Sequence, residues 1–262
     1  MPEGEGAISV TPYERLTNGY KIITGLGYDQ VEATVGLVAQ LPDEDRKKLA
    51  EARRAGTFRL DVCNSLIGLP IVTDEKGTEE VHQYLDTVFS EMSELGVKFV
   101  VFGSGRARSI PDGTDRAAGE KMLDAFLVYA DALCEKYNMT LVIEPLNHRE
   151  TNWVTTVSEG AAVVRRLDLP HIRLLADGFH MAVESESPAV LRENKDILLH
   201  THLACAPDRV YPGKTGGAYE KEFLHTLMDM GYSGTVTVEC GFSDFASEAK
   251  LASDFMKAVL GR

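Results

Sequence analysis

Short apolar, β-branched runs alternate with longer helical patterns along the whole chain, and that alternation restricts it to folds in which strand–helix units surround a parallel sheet. The expected strands are Ala7–Val10, Gln30–Val35, Thr57–Val62, Lys98–Phe102, Thr140–Glu144, Arg173–Ala176, Leu198–His202 and Thr235–Glu239. Runs such as Phe99-Val100-Val101-Phe102 are apolar without interruption, as strands buried on both faces must be. Helices are expected over Asp43–Ala55, Glu79–Leu95, Asp115–Tyr137, Val157–Leu167, Pro188–Asn194, Tyr219–Met230 and Glu248–Leu260. In the second of these, Val81, Leu85, Val88, Met92 and Leu95 recur at three- and four-residue spacing and share one helix face.

Eight such units in 262 residues predict an α/β protein of one domain, residues 1–262, closed as a (β/α)8 barrel. Gly96, Pro170 and Gly231 fall where helices should end before the next strand. No Pro/Gly/Ser-rich linker or compositional break divides the chain. The first unit is the poorest, because Tyr13–Gly25 must supply its helix with little periodicity.

Charge limits the partners. Lys+Arg 27 against Asp+Glu 40 gives −13, a balance that disfavours both the phosphate backbone of nucleic acids and anionic membrane surfaces. Arg106 with Arg108, and Lys47 with Lys48, are short basic runs of the kind found on solvated faces. Met1-Pro2-Glu3-Gly4-Glu5-Gly6 has neither a basic nor an apolar leader region, so a cytoplasmic protein is expected. Cys63, Cys134, Cys205 and Cys240 are far apart, form no C-x-x-C pair and are expected as reduced thiols.

In an eight-stranded parallel barrel the chemistry sits at the C-terminal strand ends. The fifth expected strand ends in Glu144; the sixth leads into Asp177 and then His180; the seventh carries His200 and His202; the eighth ends in Glu239. A lone strand-end glutamate is commonly a loop anchor, but carboxylates and imidazoles on four successive strands converge on one mouth. They would repel unless a cation lay between them. Oxygen-rich donors with nitrogen suit manganese, magnesium or cobalt better than thiolate-bound zinc.

Val142-Ile143-Glu144-Pro145-Leu146-Asn147, Ala176-Asp177-Gly178-Phe179-His180-Met181, His200-Thr201-His202-Leu203-Ala204 and Val238-Glu239-Cys240 resemble the xylose isomerase-like TIM-barrel superfamily of sugar isomerases and epimerases. The branch most resembled is that of the ketose 3-epimerases and hydroxypyruvate isomerases. Phe102–Arg108 with Pro111, and Gly27-Tyr28-Asp29-Gln30-Val31-Glu32, add to the resemblance, which covers nearly the whole chain. It implies one divalent ion, Mn2+ first and Mg2+ or Co2+ next, held by Glu144, Asp177, His202 and Glu239. It also implies that Glu144 and Glu239 move protons on the two faces of a bound keto sugar and that His180 binds its carbonyl oxygen. Glu150 and Arg209 would contact the sugar, and a homo-oligomer, dimer or tetramer, is implied.

Five further features are read beside that pattern. Gly178 follows Asp177 where relatives carry Thr, which should loosen the ligand geometry. His148 stands where many epimerases carry Arg; as an acid or base it would resemble the catalytic subunit of C-glycoside-cleaving lyases, which act on 3-oxo-glycosides with a small β subunit. Trp153 is a candidate to stack on a sugar ring. Gly103-Ser104-Gly105 lacks the further glycine of a phosphate loop, and Gly213, Gly216 and Gly217 are expected in a loop over the mouth. The barrel also resembles abasic-site endonucleases, yet the chain lacks most of their histidines and is strongly acidic.

Overall fold

A computed structural model describes residues 10–261 of the chain. Seven parallel strands, β1 (Val31–Thr34), β2 (Leu60–Asn64), β3 (Phe99–Phe102), β4 (Thr140–Ile143), β5 (Ile172–Asp177), β6 (Leu198–Leu203) and β7 (Thr235–Val238), pair in chain order to form a nearly closed barrel. The helices are α1 (Pro12–Gly25), α2 (Val35–Val38), α3 (Asp43–Arg54), α4 (Glu75–Glu94), α5 (Gly105–Arg108), α6 (Arg116–Tyr137), α7 (Val157–Leu167), α8 (Gly178–Val183), α9 (Val190–Glu193), α10 (Ala218–Asp229) and α11 (Phe245–Leu260). These strands correspond to the second through eighth expected ones. The expected first strand, Ala7–Val10, lies outside the described residues except for Val10, which is not in a strand. Among the described residues β1 and β7 are edge strands, with a cavity of about 240 Å3 between them lined by Gln30, Glu32, Val62, Thr235 and Thr237.

Two layers of apolar side chains hold the barrel. Val62, Val101, Val142 and Leu175 fill its interior. The outer faces of the strands pack on the helices, where Val81, Leu85, Val88, Phe89 and Met92 are the buried stripe of α4. The poorly patterned Tyr13–Gly25 is helical throughout because its start is fixed chemically: Thr11 and Glu14 form a reciprocal capping box, and Pro12 occupies the first turn. Gly96 and Gly231 follow α4 and α10 at φ +73° and +67°, left-handed positions that glycine enters without a Cβ penalty. The helix expected over Pro188–Asn194 shrinks to the single turn α9.

Arg108, expected on a solvated basic run, is wholly buried. Its guanidinium donates to the carbonyls of Phe102 at 2.8 Å, Glu144 at 2.7 Å and Val154 at 3.3 Å. Burial lowers its pKa to about 10. It thereby ties the ends of β3 and β4 to the loop that follows, and those ends carry the chemistry.

Candidate active site

Register brings the strand ends level. Phe102 pairs with Ile143, Asp177 with His202, and Leu203 with Val238, so Glu144, Asp177, His202 and Glu239 emerge around one mouth. One ligand atom from each of these four lies within 4.8 Å of all the others. Gly103 makes this possible, because a Cβ at that position would meet Glu144 Oε2. Gly105 plays the same part against the Glu150 carbonyl, 2.6 Å from where its Cβ would stand. The two glycines thus serve close approach of backbone and carboxylate.

The electrostatics of the group are those of a crowded buried anion cluster. Asp177 is pushed up to about 7, first by burial and then by Glu144. Burial also opposes ionisation of Glu239, but His202 and Arg209 hold its carboxylate below the ordinary range. Burial works against charge on His202 as well, yet Glu32 and Glu144 raise its pKa well above that of a free imidazole. His202 Nδ1 lies 3.0 Å from Glu144 Oε1 and 3.0 Å from Glu239 Oε2. Three carboxylates and one imidazole nitrogen match the donor preferences of an oxygen-seeking divalent ion, and such an ion would relieve their repulsion.

His180 is buried against this group, and its tautomer follows from its neighbours. Its Nδ1 accepts from the Asn147 backbone N–H at 3.2 Å, so in the neutral ring the proton sits on Nε2. That Nε2 forms no hydrogen bond and lies 3.5 Å from Asp177 Oδ2. Burial, followed by the charge of Arg209, lowers the pKa of His180 to about 3, so the ring is a neutral donor. Arg209 donates from Nη2 to Glu239 Oε2 at 2.6 Å and to Asp177 Oδ2 at 3.4 Å, with its guanidinium carbon 4.9 Å from the centroid of the Phe179 ring. Glu150 stands at the rim, where its Oε1 accepts from Asn147 Nδ2 at 2.9 Å and lies 4.0 Å from Arg209 Nη1.

Two residues singled out in the sequence are not brought into the group. Trp153 is 3% exposed and packs with Phe102 and beneath Arg108, so its ring belongs to the core and offers no face for stacking on a sugar. His148 has a side chain 66% exposed, and both ring nitrogens are engaged away from the mouth: Nδ1 with Glu184 Oε2 at 2.7 Å and Nε2 with Thr155 Oγ1 at 3.2 Å. Nor is Gly178 a loosening element. A Cβ there would come within 2.6 Å of Leu203 Cδ1 and 3.4 Å of Phe223, while Asp177 Oδ1 caps α8 through the Phe179 N–H at 2.8 Å. The expected loop over the mouth is anchored as well, since Gly213 and Gly217 pack against Phe255.

Glu32, Asn64 and Asn147, to which the sequence pattern assigns no role, also reach the group or its ligands. Asn64 Nδ2 donates to Glu239 Oε1 at 3.2 Å, and Asn147 positions His180. Glu32 is buried beside His200 and His202. Its signal was present: it is the one charged residue in the strand Val31–Thr34. All four cysteines are free thiols, and among the described residues no helix is long and apolar enough to cross a membrane.

A family model described as xylose isomerase-like TIM barrel matches residues 21–259. A probable ketose 3-epimerase of Synechocystis is 30% identical over 225 residues, covering 81% of this chain and 74% of the relative. Among solved structures, the 3-keto-D-glucoside 4-epimerase of Escherichia coli superposes with a TM-score of 0.80 at 19% identity, covering 97% of this chain and 98% of the other. An IOLI protein binding a zinc atom superposes with a TM-score of 0.72 at 21% identity, covering 94% of each chain. With the match spanning nearly the full length, the chain belongs to the xylose isomerase-like TIM-barrel family.

Proposed function

We propose that this protein is a divalent-metal-dependent epimerase of keto sugars, inverting a carbon next to a carbonyl. The observation that carries the reading is the group of Glu144, Asp177, His202 and Glu239, each with a ligand atom within 4.8 Å of the rest. Two of the proteins named above, the probable ketose 3-epimerase and the 3-keto-D-glucoside 4-epimerase, agree with it. A bound divalent ion, Mn2+ first on grounds of donor type, supplies charge stabilisation to the oxygens of a sugar that becomes an enediolate when it loses a proton.

The chain's own residues account for the rest. Glu144 and Glu239 come from strands three positions apart in the barrel and reach the group from its two flanks. One carboxylate takes the proton from the carbon beside the carbonyl; the other, as a carboxylic acid, returns a proton to the opposite face, which inverts the centre. Arg209 and Asn64 orient Glu239, and His202 and Arg209 keep it ionised in the resting site. His180, with its proton on Nε2, donates to the substrate carbonyl oxygen without adding a positive charge. Arg209 and Glu150 at the rim bind sugar hydroxyls.

The test is metal analysis of purified protein followed by deuterium wash-in from heavy water into free ketoses and 3-keto glycosides. Exchange should require Mn2+, stop with a chelator and fall at least 1000-fold in Glu239→Gln, within the range known for loss of a general acid–base. Absence of exchange into every keto sugar by the Mn2+-loaded protein would overturn the reading. No observation favours the lyase alternative, because His148 lies outside the carboxylate group and is tied to Glu184.

A further inference from the structure

On the far side of His202 from the carboxylate group lies a second buried cluster. Glu32 Oε1 is 3.0 Å from His202 Nε2, and Glu32 Oε2 is 3.1 Å from His200 Nε2, which also meets Thr237 Oγ1 at 3.4 Å. The rings of His200 and His202 meet edge-on, with centroids 5.0 Å apart and an interplanar angle of 86°. Glu32 Oε1 and His202 Nε2 are buried without a hydrogen-bond partner, and the 3.0 Å ion-pair contact makes each the polar atom that faces the other. A carboxylate buried at this depth is retained against its desolvation cost only by what it holds.

We propose that Glu32 is the positioning residue of the metal centre: it fixes the His202 imidazole with the proton on Nε2 and the lone pair of Nδ1 turned toward Glu144, Asp177 and Glu239. This rests on the reading that those four residues hold a cation. A neutral imidazole carries one proton and offers one lone pair, and the two tautomers present the lone pair to opposite sides of the ring. As a carboxylate Glu32 only accepts, so its unpartnered Oε1 at 3.0 Å from Nε2 favours the tautomer with Nε2–H. His200 donates to the other oxygen and holds the carboxylate in place. Such an outer carboxylate orients the ligand ring, raises its basicity and commonly matters 10- to 100-fold in metal affinity. Glu32 touches no substrate and acts through His202 alone.

The experiment is a Mn2+ titration of wild type, Glu32→Gln and Glu32→Ala against a fluorescent competing chelator, with circular dichroism confirming the fold. The tautomer of His202 is read separately, by two-bond 1H–15N correlation in the wild-type protein loaded with diamagnetic Zn2+. One equivalent of Mn2+ should bind wild type, with the affinity weakened about 10- to 100-fold in Glu32→Ala and less in Glu32→Gln, whose amide oxygen can still accept. The spectrum should show Nε2 protonated. Wild-type affinity in both variants, a protonated Nδ1, or a second equivalent of Mn2+ lost on substitution of Glu32 would each overturn the proposal. Glu32→Gln, which keeps the shape and an accepting oxygen, carries the affinity test if Glu32→Ala does not fold. Failure of wild type to bind any Mn2+ would instead remove the proposed function itself.

Discussion

At the residue scale, legibility followed the reach of local pattern. A carboxylate or imidazole at the end of an apolar run announces itself, and Glu144, Asp177, His202 and Glu239 do converge. The orientation of Trp153 and His148 depends on which way a loop turns, and no spacing encodes that. Both lie in the stretch after β4, which Arg108 pins from a distant helix through the Val154 carbonyl. For His148 the consequence is direct: His148→Ala should leave the rate of deuterium exchange into a free ketose within about twofold of wild type, because the side chain is solvated and engaged with Glu184 and Thr155. A loss beyond tenfold in that assay would return the residue to the reaction. Gly178 gives the opposite case, since its role is packing. Gly178→Thr should cost about 2 kcal/mol in urea denaturation because its side chain would press on Leu203 and Phe223. An unchanged midpoint would mean the wall at Leu203 yields freely.

At the scale of elements, β1–β7 and the long helices were legible because burial on both faces and a single apolar stripe leave clear periods, whereas the short α2, α5 and α8 were not, and α1 owed its existence to a capping box at Thr11 and Glu14. Tertiary clamps between elements were not legible at all. Asp61 in β2 has a side chain 4% exposed and gathers Arg53 of α3 at 2.6 Å, Arg59 at 2.6 Å and Lys98 at 3.7 Å, at the end of the barrel opposite the mouth. Burial alone would raise its pKa, but Arg59 and Arg53 together lower it below the usual aspartate range. A depressed folded-state pKa means that the stabilisation is fully present above the unfolded value near pH 4 and is lost as pH falls through the folded one. Asp61→Asn should therefore destabilise the protein by about 2 kcal/mol at pH 7, the figure for charged hydrogen bonds among partly exposed partners. The gap between variant and wild type should close below about pH 4. A gap in urea midpoint that stays constant from pH 7 to pH 3 would show that Asp61 acts through shape alone.

For the whole molecule, the fold pays for its site by holding three carboxylates in a mouth that burial makes hostile to charge, within a chain already carrying −13. Arg209 and His202 offset part of that repulsion, yet Asp177 remains pushed up to about 7 by burial and by Glu144. The group is therefore held together by the barrel rather than by its own attractions, and it is the part of the structure with most to gain from a cation. The unfolded chain scatters these four residues over a span from Glu144 to Glu239 and cannot offer them to one ion. An ion that binds only the folded state at 100 times its dissociation constant stabilises by about 2.7 kcal/mol. In a protein of this size that corresponds to a rise in Tm of roughly 5–10 °C. Calorimetry of the protein with Mn2+ and after chelation should show this rise, and Glu239→Gln, which removes one charge from the group, should show a smaller one. If Mn2+ leaves the Tm of wild type unchanged at concentrations that saturate an oxygen-donor site, the carboxylates are accommodated by protons and Arg209 alone. The cluster would then be a polar core device, and the chemistry of this barrel would have to be sought elsewhere on its mouth.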